Sequence, residues 1–143
     1  MAAKTYVIDA SVAIKWFADE RDSQSAILLR KSHSQGSVAL IAPDLILYEV
    51  SNGLRFNKIF SCEDIDAGIA SMMSIRIRFY PPKEKLLREA IKLALQTQST
   101  VYDAVYLVLA IQSGSVLITA DEAFAKSTKG LPIITLAEFA RSG

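Results

Sequence analysis

The chain has 143 residues, 51% of them apolar and 22% charged, with a net charge of +1. That length suits one domain over residues 1–143 and is enough chain to bury about two-thirds of its unfolded surface. The near-neutral balance excludes attraction of the whole molecule to nucleic acid, so any such partner would need a local patch.

Cys62 is the only cysteine and His33 the only histidine. A lone cysteine excludes a disulfide framework and a thiolate zinc site. No histidine stands near Cys62 in sequence to activate it as a nucleophile. One histidine cannot supply a two-histidine acid–base pair. In the polar stretch Ser32-His33-Ser34-Gln35-Gly36 it is expected to be a solvated residue near a helix end. The longest apolar run, residues 104–111, is far short of the roughly 18 residues that span a bilayer. The opening Met-Ala-Ala-Lys-Thr carries no charged-then-apolar leader pattern. A cytoplasmic protein without membrane contact is the expectation.

In chain order, residues 4–8 read as a buried strand ending at Asp9. Residues 11–17 read as a short helix and 23–34 as an amphipathic one. A second strand covers 37–41. Pro43 then suits the first turn of a helix, with Asp44 at its positive end, and that helix is expected to run to about Ile59. Ser61 is a plausible cap for a helix over 63–75. Residues 78–80 form a third strand, closed by Pro81-Pro82. Residues 84–96 are amphipathic, with Leu86, Leu87, Ile91 and Leu95 at helical spacing, and 100–113 are nearly all apolar, a buried helix stopped by Gly114. A fourth strand (116–119), a short helix (122–126), a last strand (132–134) and a closing helix (136–141) complete the chain. Alternating strands and helices mean a parallel sheet covered on both faces. Sites in such sheets form beyond the carboxyl ends of the strands.

Four acids stand in unusual places. Asp103 lies in Val101-Tyr102-Asp103-Ala104-Val105-Tyr106-Leu107, with no polar face to shelter it. A carboxylate there is costly unless it is paired, hydrogen-bonded or metal-bound; it also suits the third position of a capping box begun by Thr100. Glu49 sits among Leu47, Tyr48 and Val50, either as a surface glutamate or as a site acid, with Asn52 one turn later on the same face. Asp9 and Asp121 each follow a strand, where an aspartate can cap the next helix, bind a ligand, or do both. Were the four to meet, they would repel one another and raise one another's pKa, which makes sense chiefly around a cation. All-oxygen ligands point to Mg²⁺ or Mn²⁺ rather than zinc. Such an ion with its bound water suits phosphodiester hydrolysis without histidine or cysteine.

The pieces Tyr6-Val-Ile-Asp9-Ala-Ser11, Ala42-Pro-Asp-Leu-Ile-Leu-Tyr-Glu49-Val-Ser-Asn52, Val101-Tyr-Asp103-Ala-Val-Tyr-Leu and Leu117-Ile-Thr119-Ala-Asp121-Glu-Ala-Phe124 resemble, in order and spacing, the PIN-domain family. Within it they are similar to the VapC-type toxins of prokaryotic toxin–antitoxin pairs. The family's four acids fall on Asp9, Glu49, Asp103 and Asp121, and its small hydroxyl positions on Ser11 and Thr119. Gly53 departs from the alanine common there. The resemblance implies an α/β/α sandwich with a parallel sheet of about five strands, a bound Mg²⁺ or Mn²⁺, and RNA as substrate. It also implies a homodimer and a small antitoxin whose tail, often with an arginine, occupies the acidic groove. On that reading Asp9, Asp103 and Asp121 bind metal, and Glu49 binds metal or orients its water. Ser11, Asn52 and Thr119 hold carboxylates or waters. Lys15, Arg55 and Lys126, each close in sequence to a site piece, are either guides for RNA or ordinary surface charges. The competing expectation is a non-catalytic PIN-like module that binds RNA or protein. A phosphatase or receiver-type domain is disfavoured. Ser11 stands where a second aspartate would be needed, the third strand ends in Tyr80-Pro81-Pro82, and no phosphate-cradling glycine loop is present.

Overall fold

The computed structural model describes residues 3–142; Met1 and Ala2, which open the N-terminal stretch read above, lie outside them. Five strands, β1 (Lys4–Ile8), β2 (Val38–Pro43), β3 (Arg78–Tyr80), β4 (Val116–Thr119) and β5 (Ile133–Thr135), form one all-parallel sheet in the order β3-β2-β1-β4-β5. Eight helices flank it: α1 (Ala10–Ala13), α2 (Ser23–Ser34), α3 (Leu45–Arg55), α4 (Cys62–Ser74), α5 (Glu84–Thr97), α6 (Val101–Ser113), α7 (Glu122–Ser127) and α8 (Leu136–Ser142). This is the α/β/α sandwich expected of the sequence.

The central strands are apolar on both faces because helices cover both. Val7, Ile8, Leu40, Leu117 and Ile118 are all buried. In α6 every residue from Ala104 to Ala110 is buried, which explains why that helix has no polar stripe. Thr100 caps its start, its hydroxyl accepting from the Asp103 amide at 3.0 Å, and Gly114 ends it with φ +66°. Ser61 and Asp64 form a reciprocal capping box at the start of α4. Chain order reverses its direction across the sheet between β1 and β4. The register sets Ile8 beside Ile118, so the next residues, Asp9 and Thr119, also lie together.

Three expectations change. Pro43 is the last residue of β2, paired with Tyr80, rather than the first turn of α3. The Asp44 amide donates to the Tyr80 carbonyl at 2.9 Å, so the chain turns into the helix only at Leu45. That helix stops at Arg55 rather than Ile59, because a tight turn follows in which Asn57 Oδ1 accepts from the Ile59 amide. Phe56 and Ile59, in the segment beyond Arg55, stand in solvent. The first short helix begins at Ala10 and tightens into a 3-10 turn over Ile14–Trp16, tied to α2 by a hydrogen bond from Trp16 Nε1 to the Ala26 carbonyl. Gly53 lies inside α3, where a Cβ would come within 2.5 Å of Ile14 Cδ1. The helix runs through this glycine unbroken and Ile14 fills the space.

His33 is not a solvated residue. It is partly buried, its Nδ1 accepts from the Leu40 amide at 3.1 Å, and its Nε2 lies 3.0 Å from the Ile75 carbonyl. An accepting Nδ1 requires the neutral tautomer with the proton on Nε2. The ring therefore staples the end of α2 to β2 and to the end of α4. His33→Ala is expected to lower stability by about 1–3 kcal/mol, since it orphans a strand amide and a carbonyl. Urea unfolding with an unchanged slope and a lower midpoint is the check.

Candidate functional site

At the carboxyl end of β1, Asp9 caps α1, its Oδ1 accepting from the Val12 amide at 3.3 Å. Its carboxylate is also held by two hydroxyls: Ser11 donates to Oδ1 and Thr119 to Oδ2, both at 2.5 Å. Those hydroxyls are fixed in turn by backbone amides across the β1–β4 junction. Ala120 N donates to Ser11 Oγ at 2.9 Å and Asp121 N to Thr119 Oγ1 at 3.1 Å. Asp121, exposed, caps α7 by accepting from the Phe124 amide at 2.9 Å. Glu49 sits half-buried on α3, and its Oε1 accepts from the Tyr106 hydroxyl of α6 at 2.6 Å. Asp103 lies on the first turn of α6, its amide donating to the Thr100 hydroxyl that caps the helix.

The electrostatics tie these acids together. Asp9 is 7% exposed. Burial is the main cause that lifts its pKa from 3.8 to about 6; the bonds from Ser11, Thr119 and Val12 pull it back, and the Asp103 charge adds to the rise. Glu49 is raised by burial and by Asp103, against the lowering bond from Tyr106. Asp103 is raised by burial and by the charge of Asp121, against Thr100. Asp103 thus repels both Asp9 and Glu49 and is repelled by Asp121, so each of the other three acids falls within electrostatic reach of Asp103. None of the ion pairs among the described residues involves any of the four. Nor do any three acids among the described residues close on one point as a ready-made ligand set.

The other candidates divide. Ser11 and Thr119 belong to the site through Asp9. Asn52 is exposed and makes no side-chain hydrogen bond to it among the described residues. Lys15 pairs with Glu20 at 3.5 Å, with only 12% of its side chain exposed. The Arg55 guanidinium lies over the Phe56 ring, and Lys126 is exposed at the end of α7. Sequence reasoning missed Tyr106. The only available signal was a tyrosine three residues after Asp103, on the same helix face.

A hydroxyl-cradled carboxylate at the switch point of a parallel sheet, within reach of the charge of a second acid, defines a class of acidic-centre α/β/α proteins. The PIN domain family model matches residues 6–130, and the chain belongs to that family. No curated protein sequence matches the chain. Among solved structures, PAE2754 from Pyrobaculum aerophilum is 24% identical, with a TM-score of 0.68 over 99% of this chain and 97% of that one. VapC20 from Mycobacterium tuberculosis, described as a Sarcin-Ricin loop cleaving toxin, is 12% identical, with a TM-score of 0.68 over 86% and 95%. VapBC2 from Rickettsia felis, bound to a DNA fragment from its promoter, is 14% identical, with a TM-score of 0.71 over 92% and 98%. These likenesses are of fold. No helix among the described residues is long and apolar enough to cross a membrane.

Burying Asp9 charged has a cost that pH exposes. Between the unfolded value near 3.8 and the folded value of about 6, the folded state keeps a proton that the unfolded state has released. In the presence of a chelator, stability should fall as pH rises through this window and level off above it. Asp9→Asn removes the share that Asp9 contributes, leaving the smaller one from Glu49 and Asp103, whose pKa values are also raised. It should stabilise the chelated protein by up to about 3 kcal/mol above pH 6, less what is lost in weaker bonds to Ser11 and Thr119, and little below pH 4. Thermal unfolding of both proteins at about pH 4 and pH 7.5 reads the difference.

Proposed function

We infer that the protein is a metal-dependent endoribonuclease, acting as the toxin of a toxin–antitoxin pair. One observation carries this reading: a buried carboxylate, Asp9, feels the charge of Asp103, which also acts on Glu49 and is acted on by Asp121, and none of the ion pairs among the described residues involves any of the four. The donor set is all oxygen, which suits Mg²⁺ or Mn²⁺. Mg²⁺ commonly takes one or two carboxylates and fills its remaining positions with water. A site not already closed on three acids therefore still fits it.

Asp9, Asp103 and Asp121 would hold the ion, and Glu49 would hold it or orient a water. When bound, it supplies an activated water and neutralises charge on the phosphate. Ser11 and Thr119 keep Asp9 oriented and favour its ionised form. The phosphate of a single-stranded or structured RNA is attacked by water and its bond to the leaving ribose oxygen breaks. Membership of the PIN family and the likeness to VapC20, a Sarcin-Ricin loop cleaving toxin, support RNA as the substrate, and the toxin–antitoxin neighbours support a small antitoxin as partner. The expected compartment is the cytoplasm.

Cleavage of RNA in Mn²⁺ should fall at least 100-fold in Asp9→Asn and in Asp103→Asn, each still folded by circular dichroism. Full activity in both would reject the assignment, and RNA binding without cleavage by the wild-type protein would leave a binding module as the function.

The expected homodimer has a candidate face. Leu87, Ile91 and Leu95 repeat every four residues along α5 and are exposed, Leu95 by 78%. They continue into an apolar groove of about 230 Å³ lined by Pro43, Tyr48, Leu87 and Tyr102. The same stripe on a second copy is its natural complement in a two-fold dimer. Leu95→Glu should shift the mass measured by light scattering from dimer to monomer; a wild-type protein that is monomeric at high concentration rejects this face.

A further inference from the structure

Tyr106 is 1% exposed, and its side chain crosses from α6 to α3 to give its hydroxyl to Glu49 Oε1 at 2.6 Å. A phenylalanine would fill the same core space. A hydroxyl buried there costs free energy unless it finds a partner, and the partner it finds is one of the four acids. Among the described residues it is also the only hydrogen-bond donor to Glu49, and Oε2 receives none. Burial, Glu49, Asp9 and Asp103 all oppose ionisation of this phenol, so its proton stays in place. Tyr106 therefore acts at the site as a donor and never as a base.

We propose that Tyr106 is a positioning residue for the acidic centre. Its hydroxyl takes one lone pair of Glu49 Oε1, fixes the plane of that carboxylate, and leaves Oε2, which receives no hydrogen bond among the described residues, to face a cation or its water. A glutamate has three side-chain torsions and, on a half-exposed helix face, several places to put its charge. The bond from α6 restricts them and couples Glu49 to the helix that also carries Asp103. This role rests on the reading of the site as a divalent-metal nuclease centre.

The test uses the full chain as wild type, Tyr106→Phe, Glu49→Ala and the double variant. Three measurements are made: Mn²⁺ affinity by calorimetry, RNA cleavage resolved into kcat and KM, and thermal unfolding in chelator. Tyr106→Phe removes one oxygen and should still unfold cooperatively. Its Mn²⁺ affinity and its kcat should each fall about 10- to 100-fold, with KM for RNA unchanged, the usual scale for losing a group that orients a metal ligand. In the Glu49→Ala background the same change should alter neither, because the residue through which Tyr106 acts is gone. Wild-type Mn²⁺ affinity in Tyr106→Phe overturns the proposal, as does an equal loss in both backgrounds. Should Tyr106→Phe fail to fold, Glu49→Asp, which draws the carboxylate back from an intact phenol, replaces it; the same drop in affinity is expected and its absence overturns the role. If the wild type binds Mn²⁺ but cleaves no RNA, the nuclease reading fails while the affinity comparison still decides Tyr106. If the wild type binds no Mn²⁺, both fall.

Discussion

Asp9 is an anion taken out of water at the junction of β1 and β4, held by two hydroxyls and one amide and, among the described residues, by no ion pair. Hydrogen bonds to a carboxylate favour its charge, yet here they only partly offset desolvation, and the group remains harder to ionise than in water. The surrounding structure is arranged around that imbalance. Ser11 follows Asp9 by two residues and Thr119 ends the adjacent strand, so the grip on the carboxylate depends on β1 and β4 being neighbours in this register. Backbone amides from Ala120 and Asp121 hold the two hydroxyls, which leaves their protons free to point at Asp9.

The other three acids arrive by separate routes. Asp121 comes from the turn after β4, Glu49 from α3 and Asp103 from the first turn of α6. The sheet order places these segments at one end of the molecule, where the chain reverses its direction across the sheet. Asp103 is central to the electrostatics because it acts on two neighbours and is acted on by a third. The same fold at low identity occurs in proteins named as toxins and as toxin–antitoxin complexes, and the chemistry proposed for this chain comes from its own side chains as much as from that likeness.

Much of this was legible in the residues. Hydrophobic period and turn residues placed the strands, and an aspartate after a strand marks the sheet's functional end wherever parallel strands are expected. Asp103 stood out because an apolar helix gives a charge no shelter. Features that depend on distant partners were not legible. Tyr106 meets Glu49 across 57 residues of chain, and nothing local to it announces the contact. His33 looked solvated from its polar neighbours, but its partners are Leu40 and Ile75. Asn52 has the spacing of a site residue and is nonetheless exposed. The end of α3 at Arg55 depends on a turn closed by Asn57, and past that end Phe56 and Ile59 are apolar without being buried.

Gly53 carries a consequence for descent. The missing methyl lets α3, and Glu49 upon it, lie against Ile14, which belongs to the stretch that leaves Asp9. The close approach of α3 to this stretch is therefore a fit between one glycine and the tip of one isoleucine. Positions 53 and 14 should drift together among homologues: a lineage that acquires alanine at 53 is expected to trim or redirect its residue at 14.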